Sequence, residues 1–281
     1  MITGTCLCGA VRYGIDGPFS FMGHCHCSMC RKAHGALYAT WIAAPRSGFR
    51  WIAGEDAIDR FESSPGGQRA FCRHCGSVAP ILMDDSVGMP AGNLDGDPGI
   101  RPQLHMFVGS KAAWHPITDD LPQYPEWPPG FDTPGVPRPA PEPRAGAPAS
   151  SCLCGGMAWE VEGPPLMMYH CHCSRCRRAR SAAHATNAFY KLDRFRWLRG
   201  EELLRSFKLP DAQFFSQDFC SRCGSPAPRV MAAYNRVMLP AGAMDGDPGA
   251  PANAHIFASS RAPWDAITDD LPQFDAMPPR G

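Results

Sequence analysis

The chain has 281 residues, enough for two ordinary domains, and its 27 basic and 27 acidic side chains give a formal net charge of zero. That balance, with no basic run, lacks the electrostatic footprint of a nucleic-acid binder, and no apolar stretch approaches a membrane span, so neither partner is expected. The start, Met1-Ile2-Thr3-Gly4-Thr5-Cys6, lacks the charged segment and apolar core of an export signal, so the chain reads as cytoplasmic, with its 14 cysteines reduced.

In chain order, a CxC pair (Cys6, Cys8) comes first, followed by Val11, Tyr13 and Ile15 alternating with Arg12 and Gly14, the period of a half-buried strand. The segment His24-Cys25-His26-Cys27-Ser28-Met29-Cys30 carries three cysteines at CxCxxC spacing. Arg31 to His34 can form one helical turn, and residues 35 to 42 read as another strand. A CxxC pair (Cys72, Cys75) follows, then Asp-Gly and Asp-Pro turn chemistry near residue 95. His105 sits in strand-like Leu104-His105-Met106-Phe107, where a lone histidine reads as structural. Asp119-Asp120 precedes Leu121-Pro122 and reads as a cap rather than a pair of catalytic carboxylates.

The whole order then repeats. Thr5-Cys6-Leu7-Cys8-Gly9 returns as Ser151-Cys152-Leu153-Cys154-Gly155, the CxCxxC as Cys171, Cys173 and Cys176, and the CxxCGS as Cys220-Ser221-Arg222-Cys223-Gly224-Ser225. Pro90-Ala91-Gly92 returns as Pro240-Ala241-Gly242, and Ile117 to Gln123 as Ile267 to Gln273. The chain is therefore read as a duplicated, mainly β domain: copy one over 1–128, a Pro-rich linker over 129–148, and copy two over 149–281. The two copies are expected to pack together as a pseudo-dimer.

Paired thiols at these spacings, in a chain without an export signal, point to metal rather than disulfides. Seven cysteines per copy divide as four plus three. Cys6, Cys8, Cys72 and Cys75 can fill a tetrahedral zinc site, as can Cys152, Cys154, Cys220 and Cys223; such closed sites are structural. A rival grouping joins Cys27 and Cys30 to Cys72 and Cys75. Cys25, Cys27 and Cys30 fill three corners, leaving the fourth for an exogenous thiolate or for a protein side chain such as His24 or His26. In an extended segment His24 and His26 point away from the cysteine face. Arg31 and Lys32, like Arg177 and Arg178, follow the last ligand, where they can offset its charge, bind a ligand carboxylate or simply form a solvated turn. Neither a calcium loop nor a phosphate-binding glycine loop is present.

The order CxCG, HCHCxxCR, CxxCG, a histidine strand, then Trp114 and Asp120-Leu121-Pro122 resembles the glutathione-dependent formaldehyde-activating enzyme and centromere protein V family, twice over. The resemblance implies β-tent domains, a structural zinc on each four-cysteine set and an active-site zinc on each CxCxxC set. It implies a carbon–sulfur lyase-type reaction that joins glutathione, as co-substrate, to formaldehyde or a related aldehyde. On that reading His24, His26, Arg31 and Lys32 are candidate co-substrate contacts. The alternative is a non-catalytic zinc-stapled scaffold. Copy two departs from the pattern, with Arg180-Ser181 where copy one has His34-Gly35, so its pocket is expected to differ.

Overall fold

The computed structural model describes residues 1–130 and 150–279; the linker expected over 129–148 lies outside the described residues from 131 onward. Each copy is built from the same three sheets. In copy one, strands Ile2–Thr5, Arg12–Ile15 and Phe49–Ala53 form a small antiparallel sheet. Strands Ile58–Ser64 and Gly67–Cys72 form a hairpin. A six-stranded mixed sheet carries Phe21–Cys25 at its centre, between antiparallel Ala39–Pro45 and the short parallel strand His105–Met106. In copy two the central strand is Met167–Cys171, flanked by Ala185–Lys191 and Ala254–Ile256.

Among the described residues each α-helix is capped at its start by a ligand candidate. Helix α1 (Ser28–His34) is capped by the Cys27 sulfur, which accepts from the Cys30 amide; helix α2 (Ser174–Arg180) is capped in the same way by Cys173. Both end in the left-handed region, at Gly35 with φ 58° and at Ser181 with φ 52°. Copy two thus reaches the same helix end without the glycine, and Ser181 Oγ bonds the Val78 and Arg178 carbonyls there. No helix among the described residues is long and apolar enough to cross a membrane.

The repeated motifs lie where the copies touch. A Cβ added to Gly92 would stand 2.2 Å from the Ala182 nitrogen, and one added to Gly242 would stand 2.2 Å from the Ala36 oxygen, so both Pro-Ala-Gly glycines admit the other copy's backbone. The Asp-Gly-Asp-Pro turns use their two acids differently. Asp97 and Asp247 accept the Gly99 and Gly249 amides within the turn. Asp245 takes the Lys32 ammonium at 2.8 Å, and Asp95 takes the Arg178 guanidinium from the opposite helix. Leu37 of copy one is wholly buried in the core of copy two, among Met157, Trp159 and Leu239, while Trp264 and Ala183 of copy two join the core of copy one around Tyr13 and Ile42.

Leu37→Ala should therefore destabilise copy two as well as copy one. The expected loss is about 2–5 kcal/mol, within one unfolding transition monitored by Trp fluorescence and circular dichroism. A loss confined to half of the signal would contradict the shared core.

Candidate metal centres and active site

All 14 cysteines are free, and they fall into four clusters. The sulfurs of Cys6, Cys8, Cys72 and Cys75 lie within 4.8 Å of one another, as do those of Cys152, Cys154, Cys220 and Cys223. The rival grouping of the CxCxxC with the CxxC is not formed. The turn after the first strand brings Cys6 to 3.4 Å from Cys8, and the hairpin delivers Cys72 to 3.7 Å from Cys8. The equivalent distances in copy two are 3.4 and 3.8 Å. A tetrahedral zinc cage with Zn–S bonds of about 2.3 Å has sulfur–sulfur edges of about 3.8 Å, so these residues fit the ion. Backbone donors already point at the sulfurs: Val11 N–H reaches Cys6 Sγ at 3.3 Å and Met157 N–H reaches Cys152 Sγ at 3.3 Å. Ser77, from the CxxCGS motif, receives the Leu7 amide and donates to the Arg178 carbonyl, tying this cage to the other copy.

The CxCxxC sulfurs form the two remaining clusters, Cys25 with Cys27 and Cys30, and Cys171 with Cys173 and Cys176. The last residue of the strand supplies the first sulfur, the helix N-cap the second and the first helical turn the third. Among the described residues no histidine, carboxylate or further cysteine completes either set at that spacing. Cys25, Cys27 and Cys30 pack with Met106, Phe107, Trp41 and Met29. In copy two Asn187 replaces Trp41 and Arg175 replaces Met29, Cys173 is partly exposed, and Phe215 and Phe257 supply the apolar contact.

One cation accompanies each three-cysteine set, from a different element. In copy one the hairpin's Arg69 points Nη1 at Cys30 Sγ, 3.5 Å away. In copy two that hairpin position is Gln217, and the guanidinium comes instead from the helix end. Arg180, held by Gln217 and Asn187, interacts with Cys176 and stands where copy one has His34. Arg69 and Arg180 could have been found only by pairing the substitutions Arg69/Gln217 and His34/Arg180 across the repeat.

His24, His26, Arg31 and Lys32 are not gathered at the cysteines. Strand alternation turns His24 and His26 to the opposite face, where their rings contact Thr40 (2.9 Å) and His105 (2.8 Å). Arg31 reaches the Gly242 carbonyl at 3.5 Å, and Lys32 is held between Asp245 and Ser151. These two basic residues join the copies because the helix presents them across the contact. They do not form a solvated turn.

On that opposite face lies a cavity of about 310 Å³ between the copies. Eight of the ten histidines line it: His24, His26, His105 and His115 from copy one, His170, His172, His184 and His255 from copy two. Burial holds His24 down to about 3, His26 to about 2, His172 to about 3 and His115 to about 4, so these rings are neutral at pH 7. His105 is no lone strand histidine: it links His26 to Asp119, which lies 2.9 Å from its Nε2 and also caps the Leu121 amide. His115 and His184 carry no local motif; they become visible only as the partners of Asp265 and Tyr38 across the repeat.

The family model described as glutathione-dependent formaldehyde-activating enzyme matches residues 1–110 and 147–260. No curated protein matches the chain. Among solved structures, a crystal structure of a Rhodobacter sphaeroides protein is 26% identical, over 34% of this chain and 89% of its own, with a TM-score of 0.28.

Two outcomes follow from the site. Four thiolate cages should release four zinc ions per chain when a mercurial blocks the thiols, read with a zinc-sensitive dye; two or fewer would mean that the three-cysteine sets hold none. His115 titrates lower in the folded chain than in the unfolded one, so its contribution to stability is present above pH 6.5 and is lost as pH falls toward about 4. His115→Asn should therefore make the acid-side fall in unfolding free energy shallower by up to about one proton, measured by urea titration across that range. An unchanged slope would contradict a ring held neutral at that position.

Proposed function

Since the chain belongs to the glutathione-dependent formaldehyde-activating enzyme family, we propose that it joins glutathione, or a similar small thiol, to formaldehyde or a related small aldehyde, as a carbon–sulfur lyase-type enzyme. The observation that carries this reading is the set of Cys25, Cys27 and Cys30. Three sulfurs share one cage, and no fourth protein ligand joins them among the described residues. In the same reading Cys6, Cys8, Cys72 and Cys75 hold a structural zinc, as do Cys152, Cys154, Cys220 and Cys223. Cys25, Cys27 and Cys30 hold the active-site zinc of copy one, and Cys171, Cys173 and Cys176 that of copy two. The copies work as a built-in dimer.

Cys25, Cys27 and Cys30 would hold the zinc, which would supply a Lewis acid that keeps an incoming thiol as its nucleophilic thiolate. The chain supplies the rest. Cys30 and Cys27 receive charge-balancing contacts from Arg69 and from the Cys30 amide, which limits the negative charge an arriving thiolate meets. Trp41, Met29 and Phe107 keep water from the sulfurs of copy one. The addition is balanced without an oxidant or reductant: the thiol sulfur bonds to the carbonyl carbon, the carbonyl π pair moves to oxygen, and the thiol's proton ends on that oxygen. The acceleration required is modest, because thiols add to formaldehyde unaided. The more polar surroundings of Cys171, Cys173 and Cys176 favour a different aldehyde or a weaker site in copy two.

Cobalt-substituted protein tests the proposal. Glutathione should shift the sulfur-to-cobalt charge-transfer bands, with about half of the change lost in Cys30→Ser if each copy takes one thiol. Arg69→Ala should slow S-hydroxymethylglutathione formation about tenfold, the equivalent of roughly 1.4 kcal/mol. A spectrum that glutathione never changes would leave a non-catalytic, zinc-stapled scaffold.

A further inference from the structure

The histidine cavity between the copies contains two chains of hydrogen bonds that end differently. In copy two, Asp269 contacts His255 Nε2 at 3.0 and 3.1 Å, and His255 Nδ1 contacts His172 Nε2 at 2.8 Å. A carboxylate only accepts, so Nε2 of His255 donates to it; a neutral imidazole then leaves Nδ1 as an acceptor, and His172 must donate from its own Nε2. That leaves a bare lone pair on His172 Nδ1. It faces Asp265 Oδ2 at 3.5 Å, and neither atom has a hydrogen-bond partner although both residues are more than nine-tenths buried. Two facing acceptors in a dry interior are repulsive. In copy one the chain Asp119–His105–His26 has the same polarity, but the residue in the place of Asp265 is His115, and no carboxylate faces the terminal lone pair.

We propose that copy two resolves this conflict by binding a divalent transition-metal cation on His170, His255 and Asp269, a site separate from every cysteine cluster. With a cation on His255 Nε2 the chain reverses: His255 Nδ1–H donates to His172 Nε2, and His172 Nδ1–H donates to Asp265. Both orphaned atoms are then satisfied. The third donor is ready, because His170 Nδ1 is engaged by the Thr186 hydroxyl at 2.8 Å, which leaves Nε2 for the cation. One ligand atom from each of His170, His255 and Asp269 lies within 4.8 Å of the others. The corresponding atoms of His24, His105 and Asp119 do not meet that spacing among the described residues. Two imidazoles and one carboxylate select zinc, cobalt, nickel or ferrous iron over calcium or magnesium. All three residues line the cavity, through which water or a small anionic ligand would reach the ion.

The test uses the full chain with its cysteine sites filled by zinc and cobalt(II) as the added probe. One further cobalt should bind without a sulfur-to-cobalt charge-transfer band, and crystals grown with cobalt should show an anomalous peak among His170, His255 and Asp269. Asp269→Asn should weaken that cobalt more than about 100-fold, and Asp119→Asn should leave it unchanged. Asp265→Asn can donate to His172 Nδ1 and so relieve the conflict without a cation; it should weaken cobalt about tenfold. No additional equivalent and no anomalous peak in the unsubstituted protein would overturn the proposal, and would mean that a proton on the His–Asp chain does the cation's work. An additional cobalt that survives Asp269→Asn would overturn it equally.

Discussion

Everything in this molecule depends on sulfur atoms being brought together from distant parts of each copy. The closed cage of copy one joins the turn after the first strand to the end of the hairpin, so it fixes the small sheet against the hairpin through four side chains. Without a cation, four thiols at 3.4–3.8 Å cannot all ionise, and the cage has little to hold it. With one, the same closeness becomes a cross-link worth much of the folding free energy of a small β domain. The three-cysteine set differs in kind. It is assembled almost locally, from one strand end and one helical turn, so it contributes less to holding the fold and is free to keep a position for something else.

The second constraint is the contact between the copies. Each helix sends its basic residues into the other copy's Asp-Gly-Asp turn, and each Pro-Ala-Gly turn accepts the other copy's backbone. The contact buries the helices that carry the third sulfur of each open set, and so it fixes the position of that sulfur. It also separates the molecule into two chemically distinct faces. The cysteines lie on one face of the central strands, in copy one beneath Met106, Phe107 and Trp41, while the histidines between them face the shared cavity. Strand alternation is the reason that one seven-residue motif serves both faces.

Much of this was legible in the sequence. The repeat and the four-plus-three division of cysteines followed from spacing alone, because metal ligands must converge on one point whatever the path of the chain. The second strand came through alternation at Val11, Tyr13 and Ile15. What did not come through was pairwise and long-range. Arg31 and Lys32 read as a basic turn next to a ligand set, and only the three-dimensional contact shows that Gly242 and Asp245 receive them. Arg69 lies 39 residues from Cys30 with no motif to connect them. Asp119 read as a cap, and it is one, but its second partner, His105, required the parallel strand to be known.

The copies have diverged mostly in exchanges that keep a function in place while moving its source. The cation whose charge acts on the third sulfur passes from Arg69 to Arg180, and the left-handed helix end passes from Gly35 to Ser181. On the proposed reading, each copy owns one saturated sulfur cage and one with a position open to an outside thiol. Zinc K-edge X-ray absorption on protein loaded with four zinc ions measures it most directly. The resting protein should show about 3.5 sulfurs per zinc, averaged over the four cages, rising to about 4 when glutathione is added. A resting average already at 4, or one that glutathione leaves unchanged, would contradict it.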